Sequence, residues 1–145
     1  NISNIAEYVG SELGISEWHQ VTQEQINAFA KLTGDEQWIH VNPEKCKKMS
    51  PFCVPVAHGY FVLSLCSKFF DDVMQFEGAG MILNYGVNKV RFTNAVKVNS
   101  KVRARISLKD FQEIEVGGRL FFDVIIEIEG EEKPACVAET IAQVM

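Results

Sequence analysis

Two short stretches of the chain carry side chains able to move protons or receive charge. The first, TGDEQWIH, runs from Thr33 to His40 and places Asp35 five residues ahead of His40, behind Gly34. A carboxylate and an imidazole that reach the same water can take a proton from it and return one elsewhere. On a continuous α-helix five residues turn about 500°, which leaves the two side chains roughly 140° apart and unable to meet. Gly34 reads as a helix stop, and Asn42-Pro43 reads as the cap and first residue of another helix. The segment between them is therefore a loop, where Asp35 and His40 are free to converge. The second stretch, VPVAHGYFVLSL, delivers His58-Gly59 onto the start of an apolar helix. The first N–H groups of a helix have no internal partners and carry partial positive charge. A substrate oxygen that gains negative charge during reaction would satisfy them. Plainer roles exist for each residue: an Asp behind such a glycine often caps, a His before a helix often satisfies a backbone group, and Gly59 permits close packing.

The elements that must position these groups can be read from period and punctuation. Residues 2–13 read as a short amphipathic helix with Ile5, Val9 and Leu13 on one face, and SEWHQVT reads as a brief strand. Thr22 looks like an N-cap, with Gln25 completing a capping-box pattern, and Ile26, Phe29, Ala30 and Leu32 supply the buried stripe of the helix that follows. From Gly59 to about Phe76 the first half is apolar nearly all round, which predicts a helix enclosed by other elements. The period then changes. Met81–Phe92 reads as a strand, and from Val96 to Lys109 apolar and polar residues alternate, as in a half-buried strand. The VGGR sequence turns into Leu120, Phe122, Val124, Ile126 and Ile128, and Glu131–Lys133 turns into a last strand from Ala135. Four successive strands after one enclosed helix make an α+β protein with an antiparallel sheet.

Composition bounds the possibilities. At 145 residues, 47% hydrophobic and 23% charged, the chain reads as one domain, 1–145, of ordinary globular type. No run of about 18 apolar residues predicts a membrane span, and no basic segment followed by an apolar core predicts a secretory signal. A net charge of −5 without a basic tail argues against nucleic acid. The four cysteines, Cys46, Cys53, Cys66 and Cys136, lack metal-site spacing and read as buried free thiols, which suits a cytoplasmic location.

The stretches FAKLTGDEQWIHVNPE, PVAHGYFVLSL and NYGVNKVRFTNAVKVNSKVRARISL, taken together and in this order, resemble the MaoC-like dehydratases, the (R)-specific enoyl-CoA hydratases. The resemblance covers nearly everything beyond about Gln20. It implies the hotdog fold, a curved antiparallel sheet of about five strands wrapped around a long central helix, and a homodimer. It implies addition of water to trans-2-enoyl thioesters, with Asp35 and His40 as the catalytic pair and the Gly59 N–H binding the thioester carbonyl. Ser67, eight residues on, would line the substrate site. The family's Asn-Pro between Asp and His is Gln37-Trp38 here, a variant similar to the branch named after nodulation protein N. Gln37 and Trp38 are thus expected to touch substrate.

The row Lys97, Lys101, Arg103, Arg105 and Lys109 reads first as a solvated strand face and second as a site for coenzyme A phosphates or an acidic carrier protein. Arg91 and Lys89 are about as well suited to phosphates, and Arg91 is taken as substrate-binding. His19 reads as a surface or strand histidine, and His58 as shaping the loop before Gly59 without a catalytic part. No metal or redox cofactor is expected. The expected partner is an acyl-CoA or acyl-carrier thioester, with neither nucleic acid nor membrane. Thioester hydrolysis is a competing chemistry, but Asp71, Asp72 and Glu77 fall late on the helix, far from Gly59. A non-catalytic acyl-binding dimer is a third reading.

Overall fold

Thr22 starts the first regular helix as its type demands. Its side chain accepts a hydrogen bond from the Gln25 N–H at 3.2 Å, and α1 runs over Gln23–Thr33. The Gln25 side chain does not return the bond. It meets His19 Nε2 at 2.9 Å, so only half of the capping box forms. Gly34 ends α1 in the left-handed region at φ 80°, where its N–H reaches the Ala30 carbonyl and where a side chain would be strained. The computed structural model describes residues 1–145. Two short helices follow, α2 over Trp38–Val41 and α3 over Pro43–Met49, and Asn42 caps the latter by accepting from the Lys45 N–H at 3.0 Å.

The central helix comes in two parts, α4 over Gly59–Ser64 and α5 over Cys66–Val73. Leu65 between them stays right-handed, and its N–H is shared by the Phe61 and Val62 carbonyls at 3.2 Å each. The helix lies on one antiparallel sheet. Its short N-terminal strands are β1 (Glu12–Ile15) and β2 (His19–Gln20), and its long ones are β3 (Ile82–Phe92), β4 (Lys101–Glu113), β5 (Gly118–Ile128) and β6 (Cys136–Val144). The spatial order is β1-β4-β5-β6-β3, with β2 also paired to β4. Alternation explains the core. Val102, Ala104, Ile106 and Leu108 of β4 join Leu120, Phe122, Val124 and Ile126 of β5 against Val62, Cys66 and Phe69 of the helix. Each large side chain buried there contributes about 1.5–3 kcal/mol. Helix against curved antiparallel sheet is the α+β hotdog arrangement, with six strands rather than about five.

Several expectations need correction. The N-terminal helix is a short 3₁₀ segment over Ile2–Tyr8, and Leu13 belongs to β1, because Glu12–Ile15 finds a partner in β4. Leu32 is 84% exposed. It sits roughly 120° around α1 from Ile26, off the buried face. Val96 and Val98 precede β4 in a loop that turns at Asn99, whose φ is 68°. Cys53 is exposed, while the other three thiols are buried.

The central helix is enclosed on one side only. Val62, Cys66 and Phe69 are buried but Tyr60 is 72% exposed. The sheet of one chain covers one face of the helix. The far side faces β3, an edge strand exposing Ile82, Leu83, Tyr85, Val87 and Phe92.

Candidate active site

His40 is fixed before any substrate arrives. It lies in the single turn of α2, 7% exposed, with Nδ1 2.6 Å from the Val56 carbonyl oxygen. A carbonyl only accepts, so Nδ1 carries the proton and Nε2 keeps a free lone pair in the neutral ring. Val56 is itself held, its N–H donating to the Ile39 carbonyl at 3.1 Å and its strand neighbourhood bridging to Lys97. Burial pushes the His40 pKa below its ordinary 6.5, assisted by His58 and opposed by the Val56 bond and Asp35. The neutral ring, with Nε2 as an available base, is therefore the resting form near neutral pH.

His58 ties the pieces together. It is 3% exposed, its Nε2 donates to the Asp35 backbone carbonyl at 2.9 Å, and its ring stacks on His40 at 3.8 Å and 24°. Phe29 packs on it as well, with centroids 4.9 Å apart. One oxygen of the Asp35 carboxylate and a nitrogen from each histidine all lie within 4.8 Å of one another. These are ligand types that hold zinc or iron. The stacking works against chelation, because imidazole lone pairs lie in the ring planes. A metal about 2 Å from both nitrogens would sit well off those planes. The Asp35 carboxylate and His40 Nε2 are of the types that can share a water and move a proton.

Gly59 follows His58 directly as the first residue of α4, and no group of the chain accepts its N–H or caps the helix by a side chain. A Cβ at Gly59 would lie 2.7 Å from Phe92 Cδ2, so the glycine permits the close approach of β3. Asp35 and His40 are thus brought together at His58, whose chain neighbour is Gly59. The remaining candidates are not brought there. Ser67 lies on α5 in a cavity of about 740 Å³ between the helix and β3, which neither Asp35 nor His40 lines. Arg91 is exposed on β3, bonded to its neighbour's carbonyl, in a groove of about 580 Å³ with Tyr60, Leu63 and Lys89. Leu63 and Val87 are common to that groove and the cavity, so the two adjoin. Gln37 is exposed without a side-chain bond, and Trp38 lies under the Lys45 ammonium at 4.8 Å.

Residues 4–119 match the family described as the MaoC like domain. The chain is 40% identical over 144 residues to a 3-hydroxyacyl-thioester dehydratase Z of Mycobacterium tuberculosis, covering 99% of this chain and 95% of that protein. The chain belongs to the MaoC-like dehydratase family. The hydro-lyase expected from the sequence stands with it. This MaoC-like chain is also 38% identical over 144 residues to Nodulation protein N of Rhizobium meliloti, covering 98% and 89% of the two chains. That matches the branch suggested by Gln37-Trp38. In fold, the MaoC-like chain is similar to an R-hydratase from Pseudomonas aeruginosa, with a TM-score of 0.75, 17% identity and coverage of 94% and 81%. It is likewise similar to an (R)-hydratase from A. caviae, with a TM-score of 0.71, 20% identity and coverage of 92% and 98%.

Two residues of the site were under-read in the sequence. His58 carried a signal, a histidine abutting the helix-start glycine, but its bond to Asp35 spans 23 positions. Phe92 carried none, since its contact with Gly59 exists only once β3 reaches the helix. The cationic row is largely consumed elsewhere. Arg103 and Arg105 both grip Glu127, Arg105 also meets Glu12, and Lys109 meets Glu139.

Proposed function

We propose that the chain is an (R)-specific enoyl-CoA hydratase, adding water reversibly to trans-2-enoyl-CoA to give (R)-3-hydroxyacyl-CoA. The observation that carries this reading is the convergence of Asp35 and His40, with His40 Nε2 left free by the Val56 bond. A water held between them loses a proton to the pair as its oxygen bonds to C3. The C2=C3 electron pair moves toward the carbonyl, whose growing negative charge the Gly59 N–H receives. The pair then returns one proton to C2, so that water is added whole. The acyl chain runs along Leu63 toward the cavity at Ser67, and Arg91 and Lys89 lie at the groove through which the coenzyme A handle would leave. Gln37 and Trp38 border the loop that carries Asp35.

The reading includes a homodimer. β3 is 11 residues long, open along one edge, and lined by exposed apolar side chains beside the open side of the central helix. Such an edge invites pairing with a second copy.

Crotonyl-CoA tests the reading. Loss of the enone absorbance without free thiol supports hydration. Thiol release would instead indicate an acyl-thioester hydrolase, and binding without either change a non-catalytic acyl-thioester module.

A further inference from the structure

His58 touches two of the proposed catalytic groups and is not itself placed to meet substrate. Its side chain makes no cap on α4, the plain task for a residue at that position. It turns instead to the loop before α2. The other bonds of Gly34–Gln37 are local: Gly34 N–H to Ala30, Asp35 N–H to Thr33 Oγ1 at 3.4 Å, Glu36 N–H to Gly34, and the Gln37 carbonyl to the His40 N–H. The bond from His58 Nε2 to the Asp35 carbonyl is the one that ties this segment to a distant part of the chain. Because the acceptor is a carbonyl, Nε2 bears the hydrogen and the tautomer is set. The other nitrogen, Nδ1, is buried and has no partner. A buried polar atom left unbonded is unfavourable, so packing alone does not account for an imidazole here. A phenyl ring would fill the same space between Phe29 and His40.

We propose that His58 is a positioning residue for the hydration: its Nε2–H pins the Asp35 loop and its ring face sets the plane of His40, so that the carboxylate and the free Nε2 meet on one water. This rests on the reading of Asp35 and His40 as the proton-transferring pair. The Val56 bond fixes one point of the His40 ring, and rotation about that point is limited by the His58 face 3.8 Å away. Phe29 in turn packs on His58, while the Gln23 side chain holds the His40 carbonyl at 2.8 Å. Errors of about 1 Å in such a constellation can cost 10²-fold in rate.

Three variants separate the two contacts. His58→Phe keeps a ring and deletes the donor, His58→Gln keeps a donor of similar reach and deletes the ring, and His58→Ala deletes both. With crotonyl-CoA, each of the first two should lower kcat about 10- to 100-fold with KM changed less than about twofold, and His58→Ala should be slowest. In an Asp35→Asn background, His58→Phe should cost less than about threefold more, since its donor acts through the residue already disabled. His58→Phe and His58→Gln as fast as the parent, or a full undiminished loss in the Asp35→Asn background, would overturn the positioning role while leaving the acid–base reading intact. Asp35→Asn as fast as the parent would overturn the acid–base reading and this role with it. If the variants do not fold, nitrogen-15 spectra of the parent's imidazoles decide. A hydrogen on Nε2 of His58, slow to exchange, is expected, and a hydrogen on Nδ1 instead would overturn the proposal.

Discussion

The Nδ1 of His40 lies 2.6 Å from the carbonyl oxygen of Val56, and that contact decides which nitrogen of the ring is free to act. The same contact reconciles two roles that looked like alternatives in the sequence. His40 does satisfy a backbone group, and because an imidazole has two nitrogens, doing so orients the other for chemistry.

A pH dependence follows from the lowered pKa of His40. Burial, the largest cause, disfavours its charged form. On the proposed mechanism hydration needs the neutral ring, so kcat/KM should fall on the acid side with a midpoint below 6.5. Stability should follow the same group. Between the folded value and about 6.5 the unfolded chain holds a proton that the folded chain refuses, so stability drops as pH falls through that window and is unaffected by this group above it. Denaturant titrations of the parent and His40→Gln should differ in slope there. An identical slope would show that His40 is not responsible.

Asp35→Asn and His40→Ala should each slow hydration by about 10²–10⁴, the usual range for a general acid or base. On the proposal that both act on one water, the double variant should be little worse than the worse single one. Loss factors that simply multiply would mean that the two side chains work separately.

Gly59 is tested most cleanly with Phe92 out of the way, because any Cβ there collides with the ring. Gly59→Ala alone is expected to be strongly impaired, and Phe92→Leu should restore part of its activity. In the Phe92→Leu background, Gly59→Pro removes the N–H that Gly59→Ala retains. His58 already has the extended backbone, φ −60° and ψ 139°, that precedes a proline without clash. The proline variant should be slower than the alanine variant by about 10²–10³, the typical effect of losing one such donor. Equal rates in folded proteins would place the carbonyl-binding donor elsewhere.

Gln37→Asn with Trp38→Pro restores the commoner family segment. The Trp38 N–H has no acceptor within the chain, and proline suits the first position of α2, so no internal hydrogen bond is lost. The variant gives up the Lys45–Trp38 contact, a cation–π pair of about 0.5–1 kcal/mol at such an exposed site. Retained activity with an altered preference among enoyl chain lengths is expected. An unchanged profile would place selectivity along the helix near Ser67.

Sedimentation at micromolar concentration should show a species of twice the 16.3 kDa chain mass. Val87→Pro, within the exposed run of β3, should weaken that association, since proline brings no donor to a new ladder. A parent protein that sediments only at the mass of one chain would remove the dimer from the reading.

Local chemistry was legible in the sequence by itself. The Thr22 cap, the Gly34 stop, the Asn42-Pro43 start and the alternation along β4 and β5 are each decided within a few residues by backbone geometry and side-chain period. That reasoning also let Asp35 and His40 converge, although only Asp35 lies in a loop and His40 sits in the helical turn α2. Other features arise from contacts between residues far apart in the chain, which no local pattern records. These include the tautomer of His40, set by a carbonyl 16 positions away, and the stacking of His40 on His58. The pairing of β3 with β6 rather than β4 belongs with them, as does the pressing of Phe92 onto Gly59. The open side of the central helix has the same origin. An apolar helix looks enclosed in sequence, but how much of it one sheet can cover depends on where that sheet ends, and this one ends at β3.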